Sequence, residues 1–156
     1  MDKERENTNK RNILVSRCIF IIYLVLVVYV MFFAENFGRV SGSEEYRYNI
    51  TPFVEINRFM TLILNDLSNY KAWLNLAGNV VAFVPFGLFF PMLRNKHTGI
   101  INTVILTFVF SSMIEIIQLY TKIGVFDVDD IILNTLGGFV GYLIYITGRA
   151  IHGRHR

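Results

Sequence analysis

Four apolar blocks, each about as long as a helix that crosses a bilayer, leave this chain few ways to fold. They run over residues 18–34, 74–93, 99–120 and 130–147 of a 156-residue chain. Lipid offers a peptide backbone no hydrogen-bond partner, so such blocks must close their own bonds as helices. The first block extends back to Ile13 if Arg17 lays its stem along the helix and keeps its charge in water. The expected fold is an all-α integral membrane protein with four transmembrane helices, at about 13–34, 74–93, 99–120 and 130–147. The chain is 53% hydrophobic, and gathering those residues into blocks sets it apart from a soluble core. Its length suits one domain, 1–156.

Residues 1–12 are charged and polar and are expected to form a short disordered cytoplasmic tail. The first block is long for the apolar region of a signal peptide. Phe33-Ala34-Glu35 is also a poor cleavage site, so the block reads as an uncleaved anchor. Cys18 is the only cysteine, which excludes an intrachain disulfide; within a span it reads as a small apolar filler. Residues 35–73 form a long polar loop. In its second half Phe53, Ile56, Met60, Ile63 and Leu67 recur at helical spacing, with Thr51 placed to cap and Pro52 to occupy the first helical position. With Tyr70 and Trp73 following, this segment is expected to be an amphipathic interfacial helix; an ordinary docked loop helix is the other reading.

Charge sets the orientation. Ten Lys and Arg fall in the N-terminal tail, the Arg94/Lys96 loop and the C-terminal tail, against five in the other two loops. By the positive-inside rule both termini are cytoplasmic and the interfacial helix is extracytoplasmic. Eight of the twelve acids then lie in the outer loops. Basic residues sit at membrane edges and build no separate basic domain, so nucleic acid is not an expected partner, whereas the lipid bilayer is.

In this orientation the polar faces of three spans meet at one depth, in the outer half. Asn75, Gly78 and Asn79 share a face of the second span, and Thr107, Ser111, Glu115 and Gln118 share a face of the third. At about 100° per residue, Asp127, Asp130, Asn134, Gly138 and Gly141 fall on one stripe of the fourth, opposite Ile132, Leu136, Phe139, Val140 and Leu143. Asp127 can stand just before that helix as its cap. Gly137 and Gly141 form a GxxxG, which permits close helix approach and is weak evidence for a homo-oligomer.

An ionisable group within a span is costly, so Glu115 needs a partner or water. Three readings stay open for the cluster. Asn, Gln and Ser can simply bond across helices while Asp127 or Asp129 caps the fourth span. Glu115, Asp127 and Asp130, with the amides, are oxygen ligands of the kind Ca²⁺ or Mg²⁺ takes, although no spacing fixes such a site. The cluster can also form a polar pocket for a lipid headgroup or peptide. Catalytic signals are thin. His97, His152 and His155 fall on the cytoplasmic side, and the chain has no Ser/His/Asp set, no HExxH and no phosphate-binding glycine loop. No cofactor motif is present.

The chain resembles the VanZ-like family of small bacterial membrane proteins. The matching residues are Asn49-Ile50-Thr51-Pro52-Phe53, Asn75-x-x-Gly78-Asn79, Phe83-Val84-Pro85-Phe86-Gly87, Glu115-x-x-Gln118 and Asp127-x-x-Asp130-x-x-x-Asn134-x-x-Gly137-Gly138. Gly124-Val125 stands where many members carry an arginine. The resemblance adds Asn49 to the candidate cluster and implies a bacterial cytoplasmic membrane location. It also implies a link to glycopeptide (teicoplanin) resistance, with a cell-wall precursor or the glycopeptide itself as partner. It implies no settled reaction. The leading expectation is a non-enzymatic envelope protein. The alternatives are a membrane-embedded enzyme acting on a polyprenyl-linked or phospholipid substrate, and a small oligomeric transporter coupled through Glu115.

Overall fold

The computed structural model describes residues 2–34, 46–93 and 98–153. Among the described residues, five helices and two very short strands follow in order: α1 (Asp2–Ala34), β1 (Tyr48–Asn49), α2 (Val54–Asn65), α3 (Tyr70–Leu93), α4 (Ile100–Thr121), β2 (Phe126–Asp127) and α5 (Val128–Gly153). Helices α1, α3, α4 and α5 each contain a segment long and apolar enough to cross a membrane. Residues 35–45, Arg94, Lys96, His97, Arg154, His155 and Arg156 lie outside the described residues.

The structure extends three of the expected elements. α1 begins at Asp2 rather than near residue 13, so the expected disordered tail is helical. Its Lys, Arg and Glu residues are good helix formers that prolong a helix already nucleated in the apolar span. α3 begins at Tyr70 rather than Leu74, and α5 runs on to Gly153. Helix α3 continues through Pro85 and Pro91. Pro85 has no N–H to offer the Val81 carbonyl. Beside that gap, the Tyr23 hydroxyl of α1 donates to the Ala82 carbonyl at 2.7 Å.

Glycines decide how closely the helices pack. A Cβ on Gly141 would strike the Val84 carbonyl oxygen and come within 2.9 Å of the Leu88 nitrogen. One on Gly137 would strike the Val80 carbonyl, and one on Gly87 the Gly138 carbonyl. α3 and α5 thus touch backbone to backbone, and Gly138 admits the Thr107 side chain of α4 on its other side. The GxxxG is therefore used within the chain, against α3. α1 packs against α3 and α4 through Val27 and Met31, which join Phe83, Phe86 and Ile114 in the main apolar core. Outside that core Ile22, Val25, Val81, Ile105, Phe108 and Ile144 are exposed, as lipid-facing residues would be.

α2 docks on the start of α3 and on α5 through Ile56, Phe59 and Ile63, which meet Ala72, Leu76 and Leu133. Of the five residues expected to form its apolar face, only Ile56 and Ile63 point inward; Phe53, Met60 and Leu67 are exposed.

Candidate functional site

The site is assembled at the end of the bundle where α1 and α4 finish and α3 and α5 begin. β1 and β2 pair in parallel, Tyr48 with Phe126 and Asn49 with Asp127. This small ladder brings Asn49 across 78 residues, and its Nδ2 donates to Asp127 Oδ1 at 3.1 Å. The Asn49 Oδ1 accepts the Thr51 N–H at 3.1 Å, turning the chain toward α2. Asp127 stands immediately before α5, and its Oδ1 also accepts the Asp129 N–H at 2.9 Å, the bond of an N-cap. The Asp127 N–H in turn donates to Glu115 Oε2 of α4 at 3.0 Å. One residue therefore joins β1, α4 and α5.

Asp129 behaves differently from a cap on its own helix. Its carboxylate, 1% exposed, accepts the N–H groups of Phe53 at 2.5 Å, Glu55 at 2.8 Å and Ile56 at 3.0 Å. It is the N-terminal cap of α2, supplied from another helix. Phe53 makes this possible by taking a left-handed backbone (φ 68°), which turns the first N–H groups of α2 toward one point. The expected Thr51 cap and Pro52 start are thus displaced by two residues. A full carboxylate at the positive end of a helix makes charge-assisted bonds that a threonine hydroxyl does not match. Losing a helix cap typically costs about 1 kcal/mol.

Deeper in the bundle, Asn79 Nδ2 of α3 donates to Asp130 Oδ1 of α5 at 2.6 Å. One turn further along α5, Asn134 Nδ2 donates to Ser111 Oγ of α4 at 2.9 Å, both residues fully buried. Gln118 Nε2 donates to the Met31 carbonyl of α1 at 3.1 Å. Asn134 Oδ1 and Gln118 Oε1 are buried acceptors without a hydrogen-bond partner among the described residues. Exposed Trp73 and Tyr120 mark the height at which α3 and α4 reach this end. At the 1.5 Å rise of a helix, Asn79 lies about 9 Å below Trp73, and Glu115 about 7.5 Å below Tyr120.

Of the expected cluster, Asn49, Asn79, Ser111, Glu115, Asp127, Asp130 and Asn134 are drawn into cross-element bonds. Asn75 is not; its Nδ2 returns to the Lys71 carbonyl of its own helix at 2.8 Å. Asn79 already meets Asp130 near the start of α5, so one turn higher no facing turn of α5 remains. Gln118 binds α1 and none of the acids or amides. The three candidate metal ligands are also separated in role. Glu115 holds the Asp127 backbone and Asp130 faces Asn79, and no group of three or more His, Cys, Asp or Glu among the described residues is arranged to hold a metal ion. Asp129 was legible only as a cap for the fourth span. It falls off the Asp127–Asp130–Asn134 stripe, and no local pattern announces that it serves α2.

Burial pushes the Asp127 carboxyl above its ordinary value of 3.8, and the neighbouring Asp129 and Glu55 charges add to this. The Asp129 N–H and the Asn49 amide act in the opposite sense. The end of the bundle is thus an acidic, acceptor-rich region whose carboxylates tie α2, α4 and α5 together.

No solved structure matches the chain. Protein VanZ of Enterococcus faecium is 30% identical over 134 residues, covering 85% of this chain and 74% of that protein. A family model described as VanZ/LLP1 matches residues 20–150, which takes in every site residue named above. The helices, the buried acid–amide network and the α2 cap are therefore those of a member of the VanZ/LLP1 family, to which this chain belongs.

Proposed function

We propose that this protein faces outward from the bacterial cytoplasmic membrane. There it binds or shields a cell-wall lipid or peptide at the acid–amide site and so lowers the access of glycopeptides such as teicoplanin. Both termini lie in the cytoplasm, and α2 lies along the outer membrane surface. The observation that carries the reading is the convergence of Asn79, Ser111, Glu115, Asp127, Asp130 and Asn134 at one end of the bundle. The distribution of Lys and Arg argues that this end is the outer one. Membership of the VanZ/LLP1 family supports the link to glycopeptides, which act on cell-wall precursors outside the membrane.

The test is expression of Glu115→Gln, Asp127→Asn and Asp130→Asn in a teicoplanin-susceptible host, with protein levels matched by immunoblot. Wild-type protein is expected to raise the inhibitory concentration, and each variant to lose most of that rise. Full protection from all three variants at matched levels would overturn the site-based reading.

A further inference from the structure

α2 has two apolar edges, and only one of them is covered by protein. On a helical wheel Ile56, Phe59 and Ile63 form the docked edge. Met60 and Leu64 form a second stripe roughly 90° away, flanked by Phe53 just before the helix and Leu67 just after it. That second stripe with its flanks is exposed, Leu64 to 75% and Leu67 to 73%. It runs on into Tyr70, Trp73 and Leu74 at the start of α3, which are also exposed. Leu74 belongs to a segment able to cross the membrane, and Trp73 Nε1 donates to the Leu67 carbonyl at 3.2 Å, so the exposed apolar residues after α2 adjoin the start of that segment. The opposite side of α2 carries Asn57, Arg58, Thr61 and Asn65, with Arg58 paired to Glu55. This is the form of a helix wedged between protein and the headgroup boundary.

Its docked edge packs within one turn of the site. Ile63 covers Leu76 and Leu133. Asn79 is one turn below Leu76 on α3, and Asp130 is one turn from Leu133 on α5. These two are the Asn79–Asp130 pair. Asp129, next to Asp130, holds the first turn of α2 by three backbone bonds.

We propose that α2 is a lid that opens toward the outer leaflet, with Asp129 as the positioning residue that holds it shut. The site then takes a membrane-resident amphiphile sideways from the bilayer rather than a soluble peptide from above. This rests on the outward-facing reading and narrows its ligand to lipid. Three features carry the proposal: the uncovered stripe on the lipid side of α2, the depth of the Asn79–Asp130 pair, and a tie concentrated at one end of the lid.

The test uses the full-length protein in nanodiscs of phosphatidylcholine, with Cys18→Ala to remove the native thiol and Leu76→Cys beneath α2. Reaction is followed with a lipid-soluble maleimide and with a charged, water-restricted one. A lid facing the leaflet predicts faster reaction with the lipid-soluble reagent, relative to the ratio at Ser68→Cys in the exposed turn after α2. With Asp129→Ala, labelling at position 76 should rise about tenfold, the effect of removing a strong cap. Asp129→Asn keeps one acceptor oxygen and should change it less than about threefold. Faster reaction with the charged reagent would overturn sideways entry, and this arm needs no Asp129 variant. Equal labelling in the wild type and Asp129→Ala would overturn the latch. Either failure leaves the phenotypes of Glu115→Gln and Asp130→Asn to judge the outward-facing reading by themselves.

Discussion

Replacing Gly141 with alanine tests how α3 and α5 are held together. The added methyl would collide with the Val84 carbonyl oxygen, with the Leu88 nitrogen at 2.9 Å and the Gly87 Cα at 3.0 Å. All three are backbone atoms of α3, so no side chain can rotate away and the helices must part. Overpacking of this kind costs about 1–3 kcal/mol, and obstruction by backbone puts the cost near the upper end. Alanine returns about 1 kcal/mol of helix propensity, leaving a net loss of about 2 kcal/mol. Gly148 lies on the same helix, and a methyl added there would meet nothing within 4 Å, so Gly148→Ala carries the propensity gain without the collision. For a protein of this size about 2 kcal/mol corresponds to a fall of about 4–8 °C in midpoint. The assay is thermal denaturation in detergent, followed by circular dichroism at the helical minimum. Gly141→Ala should melt several degrees below the wild type and Gly148→Ala at or above it. If the two variants melt within about a degree of each other, the backbone contact of α3 with α5 does not hold the bundle as argued.

Two further outcomes follow from single contacts. Asp127 titrates above its ordinary value when folded, so its stabilising contribution is complete below about pH 4 and is lost as pH rises through the raised value. Asp127→Asn keeps the accepting oxygen, so its melting temperature should gain on the wild type as pH rises from 4 to 7; a constant difference would refute the assignment. Tyr23→Phe removes the hydroxyl bonded to the Ala82 carbonyl and should cost about 0.5–1.5 kcal/mol, read as a lower midpoint in the same melts, with an unchanged midpoint counting against that tie.

Much of this architecture could be read from residue spacing because membrane helices obey few rules. Apolar length marked four segments that the structure forms as helices long enough to span, and helical period put Ser111, Glu115 and Asn134 on faces that are buried, with Asp130 half-buried against Asn79. Asn79 likewise lay on the polar side of its span. The limits have equally physical causes. Gly137 and Gly141 announced a close approach, but a GxxxG does not say which helix comes near; Gly87 on α3 completes that contact. Asn75 matched the polar face of the second span, but periodicity cannot show that α5 has no turn facing it. Gln118 shared a face with Glu115 and reached α1 instead, because its extra turn carries it to the level of Met31. Asp129 leaves the least trace in the residue pattern. A cap donated to a distant helix depends on the left-handed Phe53 and on the β1–β2 ladder, and neither leaves a periodic trace.

The central claim is that the end of the bundle bearing Asp127, Asp129 and Asp130 faces out of the cell. Its most direct test is labelling of intact cells with a membrane-impermeant thiol reagent in a Cys18→Ala background. Ser68→Cys marks the exposed turn between α2 and α3 at that end, and Gly99→Cys the exposed start of α4 at the other. Position 68 should label in intact cells, and position 99 only after permeabilisation. Labelling at 99 but not 68 would put the acid–amide site in the cytoplasm and contradict the proposed role at the cell wall.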